Sequence, residues 1–214
     1  MTASNEELAQ QLYKQKRYKE ALPLLEEAAN AGSAWAHGVL GWMYWYGHAV
    51  RKDKDQSLHH YQLAYDGGNE SAAHPLGLSH FDAGRAELAL EWFRRDRHHP
   101  ISSLYWQYRT IEAHPHLARH ADEADDILLA AANGGHLFAK RDVAFRMMKG
   151  HKRFGTRRQG VFLWLGLYPD LFRLARADSY DERLRKSMSR KTAEREIVVT
   201  SFEDRRTHDR SLYR

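Results

Sequence analysis

Ala28-Ala29-Asn30-Ala31-Gly32-Ser33-Ala34-Trp35-Ala36 returns as AYDGGNESA at residues 64–72 and as AANGGHLFA at residues 131–139. Each copy reads as the end of one helix, a glycine stop and the start of another. A stop-and-start signal that recurs at a fixed interval marks a repeat architecture, in which small helical units stack in series and each buries its neighbour's apolar flank.

Gly32 and Gly68 stand 36 residues apart, and Gly68 and Gly135 stand 67 apart. The longer interval divides into 31 and 36 if a degenerate copy lies at residues 95–103 (RDRHHPISS). Other columns support that division. Four residues after the copies come Leu40-Gly41, Leu76-Gly77, Gln107-Tyr108 and Val143-Ala144, and four further on Tyr44, His80, Ile111 and Met147. Leu25, Tyr61, Trp92 and Leu128 precede the copies by three residues. Apolar columns at i, i+4 and i+8 belong to helices. A Gly or Ala beside the large Leu or Val lets the two helices of a unit approach closely.

Residues 36–68 read Ala36-x3-Leu40-Gly41-x2-Tyr44-x2-Gly47-x2-Val50-x2-Asp53, then Ser57-x3-Tyr61-x2-Ala64-x3-Gly68. This order resembles the Sel1-like repeat, a relative of the tetratricopeptide repeat. Two positions depart from the family pattern: His48-Ala49 replaces the usual glycine before the valine, and Ser57 replaces an alanine. The likeness is strong over 34–73, weak through 95–120 and renewed over 124–150. It implies an all-α, right-handed α/α superhelix (a solenoid) of about five helix pairs. It also implies a scaffold or adaptor that binds other proteins, not an enzyme.

The pattern predicts helices near 5–15, 18–31, 34–46, 54–66, 70–82, 86–97, 102–113, 121–133, 137–149 and 157–168. Ser4-x-x-Glu7 reads as a capping box at the first of them. Pro100, Pro115 and Pro169 are placed at boundaries, where a missing N–H is tolerated. The expected organisation is an N-terminal capping unit over 1–33, a repeat array over 34–168 and a basic C-terminal segment over 169–214.

Composition bounds the function. The 214 residues hold no cysteine, which excludes disulfides, thiolate metal sites and cysteine nucleophiles. The opening MTASNEELAQ carries acids where a signal peptide needs a basic and then an apolar run. The apolar run Val161–Tyr168 is far shorter than the ~20 residues of a spanning helix. The expectation is a cytoplasmic protein with no membrane partner. Residues 1–150 carry 17 Lys and Arg against 19 Asp and Glu, and residues 151–214 carry 16 against 9. The net charge of +5 therefore originates in the last third of the chain.

Candidate contact residues follow from the resemblance. In tetratricopeptide-like units the first helix of each pair lines a concave side. Carried over by column, that places Trp35, Trp42, Trp45 and Tyr46 in the groove from the first full unit. His74, Leu78 and Phe81 come from the second, Tyr105 and Arg109 from the third, and Arg141 and Phe145 from the fourth. Leu40 and Tyr44 are expected to fill the core side of residues 34–46. The four surplus aromatics then form a contact surface, because Trp, Tyr and Arg dominate interface hot spots. The competing reading packs those rings against the N-terminal unit. Arg109 and Arg141 would orient an acidic partner.

Two other readings come from the residues. The basic patches after Lys152 could grip an anionic partner such as nucleic acid, although acids interleave them and no nucleic-acid motif is present. His116 and His120 would share a face if one helix ran through both, as a metal site requires, but no third ligand is evident and no metal or other cofactor is expected. No phosphate-binding glycine loop, HExxH or nucleophile-elbow motif occurs.

Overall fold

The computed structural model describes residues 2–177. These form ten α-helices and two short 3-10 turns, and no strand occurs among the described residues. The helices are α1 (Thr2–Lys14), α2 (Tyr18–Asn30), α3 (Ala34–Tyr46), α4 (Lys54–Asp66), α5 (Ala73–Asp82), α6 (Ala86–Arg95), α7 (Pro100–Ala113), α8 (Glu123–Asn133), α9 (Leu137–Met148) and α10 (Arg157–Ala177). The chain divides into two compact units, residues 1–163 and 164–214.

The repeated glycines end helices in the way their sequence predicts. Gly32, Gly68 and Gly135 take φ of 90°, 94° and 97°, a region that costs glycine nothing. Around each, the same two bonds close the helix. Gly32 N–H donates to Ala29 and Ser33 N–H to Ala28, and Gly68 and Asn69 donate likewise to Tyr65 and Ala64. Gly135 and His136 repeat the pair with Ala132 and Ala131. This double bond satisfies carbonyls that a helix end would otherwise leave open. In two of the copies the following residue then caps the next helix: the Ser33 hydroxyl accepts from Ala36 N–H, and His136 Nδ1 accepts from Ala139 N–H.

The degenerate copy makes the same connection by different means. Residues 95–103 contain no glycine. Asp96 is extended there, and its Oδ1 accepts the N–H groups of His98 at 3.0 Å and His99 at 3.1 Å. The Asp96 carboxylate thus takes the accepting part that Ser33 and His136 play in other copies, holding N–H groups just ahead of the next helix.

Within residues 1–163, helices from α1 to α9 pack on their sequence neighbours, the arrangement of a solenoid. Glycines set the approach within two pairs. A methyl placed on Gly41 of α3 would lie 2.8 Å from the Tyr61 ring of α4, and one on Gly77 of α5 would lie 2.5 Å from the Phe93 ring of α6. The core between the first two pairs is made by Ala9, Leu12, Ala21, Leu25, Val39, Leu40 and Met43.

The structure corrects four local expectations. Pro169 lies inside α10, not at its end; an earlier helical carbonyl loses its N–H donor there, yet the helix continues to Ala177. α1 begins at Thr2, so Ser4 sits within the first turn instead of capping it. Residues 115–117 form only a 3-10 turn and α8 starts at Glu123, so no helix presents His116 and His120 together. Tyr44, expected in the core, is only partly buried, with its ring stacked on His60. The basic C-terminal segment beyond Ala177 lies outside the described residues.

Candidate functional site

The apolar flank of α3 is complete without its tryptophans at positions 35 and 42: Ala36, Val39, Leu40 and Met43 are buried against α1 and α2. Trp35 and Trp42 lie at the margin of that core, partly buried. Trp42 is the centre of a ring cluster. Its centroid lies 5.5 Å from Tyr13 of α1, 5.3 Å from Tyr18 of α2, 5.2 Å from Tyr46 and 4.7 Å from His48. Trp35 meets Tyr13 edge-on at 6.3 Å. Edge-to-face and offset contacts at these separations each add roughly 0.5–1.5 kcal/mol beyond area burial. The six rings therefore hold one another in place while each keeps part of its surface open. The capping unit contributes two of them, so Trp35 and Trp42 touch the N-terminal unit while part of each ring stays exposed.

Four of the residues assigned to the groove lie in the interior. Trp45 is 5 % exposed and Tyr105 2 %. His74 is buried against Asp96 and Ser103, with Nδ1 at 3.1 Å from Asp96 Oδ2 and 2.9 Å from Ser103 Oγ. Arg141 is buried beside Asp142, to which its Nη2 donates at 2.8 Å, and its guanidinium stacks over Phe138. Adjacent positions on a helix point about 100° apart, and each first helix is covered on two sides by its neighbours. The column two residues before the Leu-Gly landmark (His74, Tyr105, Arg141) therefore faces inward, while the column two residues after it (Trp42, Leu78, Arg109, Phe145) stays partly exposed.

The other assigned residues are partly buried. Leu78 and Phe81 of α5 pack against the cluster of Ala89, Phe93 and Trp106, with Phe81 edge-on to Trp106 at 5.2 Å. Arg109 reaches Tyr105 Oη through Nη1 at 3.5 Å. Phe145 lies on α9. Tyr105 Oη donates to Asp142 Oδ2 at 3.1 Å. Burial, then the Asp142 charge, pushes the Tyr105 phenol up to about 12, so it stays a donor at any physiological pH. The rings around Trp42 and the Tyr105–Asp142–Arg141 network are two separate constellations.

Two histidine arrangements are not legible in the sequence. The Nδ1 atoms of His37 on α3 and His60 on α4 are 3.0 Å apart. Burial, reinforced by His37 and His59, drives the His60 imidazole down to about 4. Free imidazole titrates near 6.5, so as pH falls the unfolded chain takes up this proton before the folded one does. Stability is therefore full above pH ~6.5 and lost progressively toward pH ~4. The expected cost is about 1–2 kcal/mol once solvent screening of this half-buried ring is allowed for. Urea midpoints at the two ends of that window measure it, and His60→Gln should show a smaller drop than the parent. The second arrangement joins His74, Asp96 and His99, whose ligand atoms all lie within 4.8 Å of one another. No local motif announces it, because α5 and the loop after α6 supply its parts.

No helix among the described residues is long and apolar enough to cross a membrane. No family model and no curated protein matches the sequence. Solved structures do. A Sel1 repeat protein from Oxalobacter formigenes is similar at 20 % identity and a TM-score of 0.61, over 76 % of this chain and 69 % of that one. The second is c5321, a protective antigen present in uropathogenic Escherichia coli strains and displaying an SLR fold. It is similar at 19 % identity and a TM-score of 0.62, over 78 % of this chain but 38 % of its own length. The repeated glycine turns, the ordered helix pairs and these likenesses agree that the chain has the α-solenoid fold of Sel1-like repeat proteins.

Proposed function

We propose that this protein is a non-catalytic scaffold that holds a peptide or protein segment against the first helices of its repeats, with Trp35, Trp42 and Tyr46 as the principal contact surface. The supporting observation is the partly open ring cluster around Trp42, assembled beside a core that is already complete. Large rigid aromatics lose little side-chain entropy on binding and bring much apolar area, which is why they anchor interfaces. Leu78, Phe81, Arg109 and Phe145 extend the surface along later repeats. Trp45, His74, Tyr105 and Arg141 support it from within.

The test does not depend on the partner's identity. A displayed random-peptide library is panned against the immobilised protein, and the retained peptides are titrated in solution. Trp42→Ala should weaken them about 30-fold, the equivalent of roughly 2 kcal/mol. A change at the exposed Leu88 (Leu88→Ala) should leave them unaffected. Equal affinity for folded parent and Trp42→Ala, or no retained peptide, would reject this reading.

A further inference from the structure

Asp96 has a second set of contacts beyond the backbone groups it caps. Its side chain is wholly buried, yet it sits between two imidazoles. His74 Nδ1 of α5 approaches Oδ2 at 3.1 Å, and His99 Nδ1, just ahead of α7, approaches Oδ1 at 3.5 Å. The His74 and His99 ring centroids are 5.1 Å apart. We propose that His74, Asp96 and His99 bind one divalent first-row transition-metal ion of the zinc class, with solvent completing its coordination.

The donor set suits such an ion: imidazole nitrogens and a carboxylate oxygen are ordinary zinc ligands, bound at about 2.0–2.2 Å. Around a tetrahedral ion at that distance, neighbouring ligand atoms stand roughly 3.4 Å apart. His74 Nδ1 stands 3.1 Å from Oδ2 and His99 Nδ1 3.5 Å from Oδ1, so the two separations involve different carboxylate oxygens. All three ligand atoms lie within 4.8 Å of one another, and the exposed His99 side chain can turn to close the remaining gap.

The surroundings are built in the manner of an outer shell. Ser103 Oγ donates to Asp96 Oδ2 at 2.6 Å, and the N–H groups of His98 and His99 donate to Oδ1. Such partners orient a ligating carboxylate and keep its charge. His99 is 46 % exposed and gives the ion a path from solvent. The bound ion would tie α5 of one helix pair to the loop that opens the next, across the junction where the repeat lacks its glycine.

Chelator-treated full-length protein is titrated with Co²⁺, followed by visible absorption, and with Zn²⁺ by calorimetry at neutral pH. The expected result is one equivalent of either ion, a cobalt absorption that Zn²⁺ abolishes, and a higher Tm with Zn²⁺. His99→Gln changes an exposed side chain and should leave the circular dichroism unaltered while weakening Zn²⁺ at least about tenfold. The double variant His116→Gln/His120→Gln should bind as the parent does. Absence of saturable uptake by the folded parent would overturn the site and leave the three residues as a polar clip. Equal uptake by parent and His99→Gln, or loss in the His116→Gln/His120→Gln protein, would overturn it as well.

Discussion

Phe93→Ala should lower the free energy of unfolding by about 3–5 kcal/mol, the usual cost of removing a fully buried phenylalanine. Phe93 is 0 % exposed. One side of its ring lies where a Gly77 side chain would otherwise stand, and another meets Trp106 in a stacked contact at 6.2 Å. It thus joins α5, α6 and α7, two consecutive helix pairs. Removing it leaves a void that three helices would have to shift to fill, and cavities of that kind collapse only in part. Gly77→Ala probes the same contact from the opposite side. Alanine favours the helix by about 0.8–1 kcal/mol over glycine. Here its methyl would lie 2.5 Å from two Phe93 ring carbons, so overpacking of about 1–3 kcal/mol should outweigh that gain. The two changes should be coupled: Gly77→Ala placed on Phe93→Ala should cost far less than on the parent. Urea denaturation of the four proteins measures the cycle, and strict additivity would contradict the close approach.

Asp142→Ala should cost a comparable amount, about 3–5 kcal/mol, for an electrostatic reason. Asp142 and Arg141 have side chains 2 % and 7 % exposed. Taking both charges from water is expensive, and the pair is tolerated because Arg141 donates to Asp142 Oδ1 through Nε and Nη2 while Tyr105 Oη donates to Oδ2. Deleting the carboxylate leaves a guanidinium buried without that countercharge, which is far worse than never having buried the pair. Arg17 and Glu20 provide the contrast. They pair at 2.5 Å, but both are half exposed, and solvent screens such a pair so that it contributes little. Denaturation with and without added salt should separate the two: the loss in Asp142→Ala should persist in salt, and any loss in Glu20→Ala should fade. A loss below about 1 kcal/mol for Asp142→Ala would contradict the buried-pair assignment.

The helices are legible in the sequence because their ends are written in local chemistry. Gly32, Gly68 and Gly135 announce left-handed turns, and all three adopt them. The pairing of Gly41 and Gly77 with aromatics on the next helix is legible only as a small residue beside a large one; which ring each meets depends on the fold. Residues 95–103 resemble the other copies poorly because no glycine ends the helix there, and a carboxylate that accepts the N–H groups of His98 and His99 has no place in a glycine-based pattern. Pro169 reads as a boundary because proline usually ends helices, whereas α10 continues through it.

The candidate contact face is harder to read. Trp42 and Trp45 lie three residues apart on one helix, and periodicity does not show that the arc covered by α2 and α4 takes in Trp45 and leaves Trp42 partly open. His74 falls in a groove column but is drawn inward by Asp96 and Ser103, residues 22 and 29 positions away. Contacts of that range leave no periodic trace in the sequence. Tyr18, which completes the ring cluster, comes from the capping unit, where the Leu-Gly landmark that registers the other units is missing.

The protein's six tryptophans allow a direct reading of where a partner sits. With a library-selected peptide added to uniformly ¹⁵N-labelled protein, the indole N–H resonances of Trp35 and Trp42 should shift progressively to saturation, while those of Trp92, Trp106 and Trp164 stay in place. Shifts confined to Trp92, Trp106 or Trp164, with Trp35 and Trp42 unmoved at saturation, would contradict the proposal that the first full repeat presents the binding face.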